Sequence, residues 1–149
     1  MRIYLSTNDE KKKPADPSYT WINDLNTLDL LVENCEATEI IVDNILSDFK
    51  FEEIGDVVKK IMSKMRMGSQ ITFYQLDFDL MAHEYDKGLL DIHEMNSHLF
   101  SGGPKSSVFN MTDICNLIDN HLTIESKDFS HDNFQCVITA RRPNGRDEV

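Results

Sequence analysis

Polar residues stand wherever a strand-like run of this chain gives way to a turn: Ser6 and Asn8, then Asp24, then Asp43 with Asn44, then Asp77. Open α/β sheets hold ligands in the crevice beyond the carboxyl ends of their parallel strands, so these are the candidate binding residues, with Asp77 as the candidate substrate contact. An anionic cofactor in such a crevice is normally cradled after the first strand by a glycine-rich turn whose backbone N–H groups face it. Here that turn reads Leu5-Ser6-Thr7-Asn8-Asp9-Glu10, and the first glycine of the chain is Gly55. Asp24 follows the first strand by about 20 residues, the separation at which an acid bonds a ribose hydroxyl in dinucleotide-type folds. An Asp at a strand end is also a common turn former. Three carboxylates at one crevice without a cation suit a hydroxyl-rich or cationic ligand better than a phosphate.

Other chemistry is excluded by spacing. His93 and His98 lie on one predicted helix at i and i+5. That leaves the imidazoles about 140° apart rather than on one metal, and a zinc-protease helix needs i and i+4. No metal site is expected. His83, His121 and His131 have no spaced partner, and neither a phosphate loop nor a serine nucleophile elbow is present. Cys35, Cys115 and Cys136 are odd in number and far apart, which fits reduced structural thiols. Gly102-Gly103-Pro104-Lys105 reads as a connector turn, with anion binding as the other reading.

Elements must hold these positions. Residues 2–6 alternate about Ile3 and Leu5 and read as a strand, followed by a charged loop that Pro14 and Pro17 close. A second strand is expected over 19–25, and a short helix over 26–36 with Leu28, Leu31 and Val32 on one face. The clearest unit runs from Thr38 to Asp79. It combines a β-branched run, a polar loop, an amphipathic stretch over 51–67 and a strand over 70–76, which reads as strand, crossover helix, parallel strand. Phe51, Ile54, Val57, Val58, Ile61, Met62 and Met65 line one helix face, and Met62, Met65 and Met67 are expected as core fillers. Glu52 and Glu53 near the helix start and Lys59, Lys60, Lys64 and Arg66 near its end complement the dipole. Gly68 is placed to cap the helix in the left-handed conformation. Further helices are expected over 80–85, over 89–100 and, from an N-cap at Thr112, through Ile118. Strands over 122–129 and 134–140 should form an antiparallel hairpin around Ser130-His131-Asp132-Asn133.

At 149 residues the chain is one domain's worth, expected as residues 1–143 with a tail at 144–149. A chain of this size buries about 70% of the surface that its unfolded form exposes. Its apolar runs are far shorter than the about 20 residues that span a bilayer, and Met1-Arg2-Ile3-Tyr4 enters a strand without a hydrophobic signal segment. A soluble, cytoplasmic protein without membrane contact is expected. The net charge of −11 and pI near 4.7 argue against nucleic-acid binding, which needs clustered Lys and Arg. Two basic runs, Lys11-Lys12-Lys13 and Arg141-Arg142 with Arg146, read as solvated loop and frayed terminus or as contacts with an acidic partner.

The segment Thr38-Glu39-Ile40-Ile41-Val42-Asp43-Asn44-Ile45-Leu46-Ser47-Asp48-Phe49, its helix, Gly68-Ser69-Gln70-Ile71 and Asp77-Phe78 together resemble class I S-adenosylmethionine-dependent methyltransferases. More narrowly they are similar to the short methyltransferases of surface-polysaccharide gene clusters and phage genomes. Those read approximately D-E-I-Y-A-x-H-V-L-E-H-F, an amphipathic helix, L-K-P-G-G, a strand and P-D-F. Gly102-Gly103, the helix start at Val108-Phe109-Asn110-Met111-Thr112 and the closing Ala140-Arg141-Arg142-Pro143 fall where that family has comparable segments. The resemblance covers nearly the whole chain and implies an α/β Rossmann-like sheet. That sheet is mostly parallel, with an antiparallel C-terminal hairpin strand and helices on both faces. Asp24 matches the family's acid for the adenosine ribose. The family's L-G-C-G motif, however, meets Leu5-Ser6-Thr7-Asn8, where side chains crowd the cofactor and positive φ becomes costly. Its histidines after the fourth strand meet Asn44 and Asp48. The resemblance therefore implies a degenerate cofactor loop and a fold kept without catalysis. Such a protein would be a cofactor-free interaction or structural module with a protein partner or a second copy, in the cytoplasm, in a viral particle or in virus-infected host cytoplasm. The alternative is an active S-adenosylmethionine-dependent enzyme acting on a small molecule, sugar or protein. A third reading is a sensor that binds another adenosine compound through Asp24.

Overall fold

The computed structural model describes residues 1–7, 12–100 and 105–144. Four strands run parallel: β1 (Arg2–Leu5), β2 (Tyr19–Ile22), β3 (Ala37–Asp43) and β4 (Met65–Leu76). The hairpin of β5 (Thr123–Ser130) and β6 (Gln135–Arg141) completes a six-stranded sheet in the order β2-β1-β3-β4-β6-β5, with β6 antiparallel to both neighbours. The helices are α1 (Leu25–Leu31), α2 (Ile54–Ser63), α3 (Phe78–Asp86), α4 (Ile92–Phe100) and α5 (Met111–Ile118). This is the mixed α/β, Rossmann-like sheet that the resemblance implies. Among the described residues no helix is long and apolar enough to cross a membrane.

Alternation along the strands separates two faces. On one, Ile3, Leu5, Ile40, Val42, Ile71, Phe73 and Ile138 are buried against α1, α2 and α5 in a single cluster with Leu28, Val58, Ile61 and Ile114. On the other, Met81 and Leu90, with Met95 and Leu99 of α4, pack on Leu76 at the carboxyl end of β4. Helices thus lie on both faces, and the second face is covered by the described helices at one end.

Several boundaries differ from the expectation, each for a packing reason. The second strand stops at Ile22 because Asp24 caps α1. The helix expected over 51–67 is a 3-10 turn (Phe51–Glu53) followed by α2, which ends with Lys64 as its C-cap. Met65 already pairs with Ala37 and is fully buried, so the strand starts five residues early. Gly68 does adopt the left-handed conformation (φ +77°), but inside β4, where its N–H bonds the Arg142 carbonyl at 2.9 Å, and so it caps no helix. Met67 is 58% exposed and is no core filler. The helix expected over 89–100 begins at Ile92, and Asp91 accepts from the Glu94 N–H at its start. The N-cap of α5 is Asn110, in a reciprocal box with Asp113, rather than Thr112.

Candidate functional site

Because β2, β1, β3 and β4 are adjacent and parallel, their carboxyl ends lie along one edge. Strands spaced about 4.8 Å apart place the β2 and β4 ends about 14 Å from each other. The predicted residues are therefore strung along a line, and each is tied to its own surroundings. Asn8 lies outside the described residues, as do Gly102 and Gly103.

Ser6 directly follows β1 and is fully buried. Its Oγ accepts from the Trp21 indole Nε1 at 2.7 Å and donates to the Lys12 carbonyl at 3.1 Å. Positive φ at described non-glycine residues occurs at Cys35, Asn44 and Phe134. Ser6 and Thr7 thus keep ordinary negative φ, unlike the glycines of a cofactor-cradling turn.

Asp24 is exposed and caps α1 with both carboxylate oxygens: Oδ1 accepts from the Thr27 N–H at 2.7 Å, and Oδ2 from the Thr27 hydroxyl at 2.8 Å. The Thr27 N–H, with the Thr27 hydroxyl next, holds its carboxyl below the usual range. Asp43 Oδ2 accepts from the Tyr4 hydroxyl at 2.6 Å. Burial first, and then the bond to Asp43, pushes that phenol's pKa up. Asn44 sits at φ +55°, a conformation that Asn tolerates better than most residues. Its N–H meets the Tyr74 carbonyl at 2.6 Å and its Oδ1 accepts from the Leu76 N–H at 3.0 Å, bracing β3 on β4.

Asp77 is 1% exposed. Its Oδ1 accepts from the Leu80 N–H at 2.9 Å and its Oδ2 from the Met111 N–H at 2.8 Å, so one carboxylate closes the first turns of both α3 and α5. Cys136 lies on the neighbouring strand, where burial, followed by the Asp77 charge, pushes its thiol up to about 12.

The structure thus brings Ser6 to Trp21, Asp43 to Tyr4 and Asp77 to α5. Sequence reasoning missed Trp21, Tyr4 and a strap over the end of β3. In that strap Lys105, with its side chain 6% exposed, pairs with Asp48 at 2.8 Å, and Ser107 donates to the Phe49 carbonyl at 2.8 Å. Beneath it the Gln75 amide donates to Ser47 at 2.5 Å while Gln75 Oε1 is buried without a partner. Only the strand alternation of Tyr4 and Trp21 signalled a shared face, and Lys105, read in the sequence as part of a connector turn or as an anion contact, pairs with Asp48. Among the described residues no group of three or more His, Cys, Asp or Glu side chains is placed to hold a metal ion. His93 is exposed, whereas His98 lies edge-on against Phe134 with ring centroids 4.9 Å apart.

No family model matches this sequence, and no curated protein does. Solved structures do match it. The chain is similar to the PH0226 protein from Pyrococcus horikoshii OT3, with a TM-score of 0.59 and 15% identity over 84% of this chain and 60% of that one. It is similar to the N-methyltransferase NodS from Bradyrhizobium japonicum WM9 in complex with S-adenosyl-L-homocysteine, with a TM-score of 0.52 and 13% identity over 85% of this chain and 55% of that one. A chain of the complex containing the Haloferax volcanii Trm112 methyltransferase activator matches with a TM-score of 0.60 and 8% identity over 96% of this chain and 72% of that one. This chain thus spans little more than half the length of NodS. At these identities the likeness is one of fold, a fold shared with the N-methyltransferase NodS.

Proposed function

We propose that this chain is a methyltransferase-fold protein that has lost its cofactor seat and acts as an interaction module for another protein. The observation that carries this reading is the placement of Ser6 directly after β1. Ser6 is fully buried, and its hydroxyl is held by the Trp21 indole and the Lys12 carbonyl at the position where a cofactor needs bare backbone. The residues present do not fit S-adenosylmethionine. The turn has no left-handed residue at Ser6 or Thr7, and the acid matched to the ribose, Asp24, has both oxygens bonded to Thr27. We place the protein in a reducing cytoplasm, of a cell or of a virus-infected host, in keeping with its three free cysteines. Residues 1–143 are read as one domain.

The competing reading is a working methyltransferase with an atypical loop. Methyl transfer rests mainly on aligning the acceptor, so it needs no recognisable acid and base, and NodS in complex with S-adenosyl-L-homocysteine stands on its side. Thermal melting separates the two readings. A ligand at about 100 times its dissociation constant stabilises the native state by about 2.7 kcal/mol. We expect S-adenosylhomocysteine to leave the melting temperature unchanged, and a rise of several degrees would overturn the proposal. Replacing Ser6 and Asn8 together by glycine should create a response if the rest of the crevice is intact.

A further inference from the structure

The second face of the sheet bears a surface that the described helices leave open beyond the end of β4. The strand register reads it out directly. Trp21, Tyr4, Ile41, Thr72, Thr139 and Ser126 form one continuous row from β2 to β5. Asp43, Tyr74, Val137 and Asp128 form the next. Their strand neighbours on the packed face, Ile3, Ile40 and Ile71, are 0% exposed, whereas Tyr4, Trp21, Ile41, Tyr74 and Val137 remain partly open to solvent. Parallel strands are almost always covered on both faces. A face built for water carries charged and small polar side chains, whereas Trp21, Tyr4, Ile41, Tyr74 and Val137 make half of these two rows aromatic or aliphatic.

We propose that this face is the docking surface of the module and that its occupant is an amphipathic helix of a protein partner, apolar on one side and lysine- or arginine-rich along its margins. The proposal rests on the interaction-module reading and supplies its surface and partner class. Three strand spacings cover about 14 Å, which seats a helix about 10–12 Å across. Charge selects the partner. Two bases of this face are paired, Arg2 with Glu39 at 2.9 Å and Arg141 with Glu125 at 3.2 Å. Asp43 has the neutral Tyr4 hydroxyl as its neighbour, and Asp128 is exposed opposite Val137. A chain of net charge −11 repels its own copy and attracts a cationic segment.

The chain has one tryptophan, Trp21, and it lies in this row. Its emission therefore reports occupancy. The probe is a leucine/lysine peptide with helical periodicity and about 18 residues, long enough to hold a helix, alongside its leucine/glutamate twin. We expect a saturable blue shift with the lysine peptide and none with the glutamate peptide. Ile41→Asp and, separately, Thr72→Lys should weaken the response at least tenfold, with folding checked by circular dichroism. The inference is overturned if the lysine peptide leaves the emission unchanged, or if both folded variants respond like the wild type. It is equally overturned if sedimentation shows a dimer that Ile41→Asp dissolves, since the occupant is then a second copy. A melting shift with S-adenosylhomocysteine would strike the parent reading alone, and a silent Trp21 without such a shift would strike this inference alone.

Discussion

Asp24 and Asp77 differ in exposure yet perform the same task, each accepting from the first-turn N–H groups of a helix. For Asp77 the task is shared between two helices, and its burial leaves no water to replace it. Asp77→Ala strands the Leu80 and Met111 N–H groups and should cost about 3 kcal/mol or more by chemical denaturation, since bonds to a charged acceptor count for about 1.5–3 kcal/mol each. Asp24 gives a pH-dependent test. Its folded pKa lies below the unfolded value of about 3.9, so its contribution is present above that value and is lost as pH falls through the folded pKa. Melting curves of wild type and Asp24→Ala should differ at neutral pH and converge in acid. Curves that coincide at neutral pH would return Asp24 to the ligand role that its spacing first implied. The positions of these residues at strand ends were legible in the sequence. Their partners were not, because Tyr4 and Asp43, or Lys105 and Asp48, meet only once the sheet and its strap are assembled.

Among the elements, α2 was the most legible, since Ile54, Val57, Val58 and Ile61 repeat at helical spacing and all four are buried. Val58→Asp would place an unpaired carboxylate against the sheet and should cost more than about 3 kcal/mol, or prevent folding. An unshifted melting temperature would mean that this face is misassigned. The end of α2 was misread because Met62 and Met65 extend the apolar spacing past Ser63, whereas pairing with Ala37 takes Met65 into β4. Local propensity lost to tertiary pairing there. Gly68 shows the consequence: at φ +77°, a Cβ would lie 3.0 Å from Asn144 Oδ1. Gly68→Ala should therefore destabilise by about 1–2 kcal/mol, the cost of a left-handed non-glycine residue. A neutral result would show that the segment leading into β4 shifts freely.

For the whole molecule, the unit from Thr38 to Asp79 and the closing hairpin implied an α/β domain ending in an antiparallel hairpin, and the resemblance implied the antiparallel insertion that the sheet order shows. The open part of its second face was not legible, because coverage depends on which connections pack where, and no strand sequence states that. At the carboxyl ends of the parallel strands stands the proposal that Ser6, held by Trp21 and Lys12, leaves no seat for the cofactor. Calorimetric titration of S-adenosylmethionine and S-adenosylhomocysteine into the purified chain tests it most directly. We expect no saturable heat from either, meaning a dissociation constant weaker than about 1 mM, or less than about 4 kcal/mol of binding free energy. A saturable isotherm near about 1 μM, about 8 kcal/mol, would contradict it, because a seat of that quality cannot coexist with Ser6 held as it is between Trp21 and Lys12.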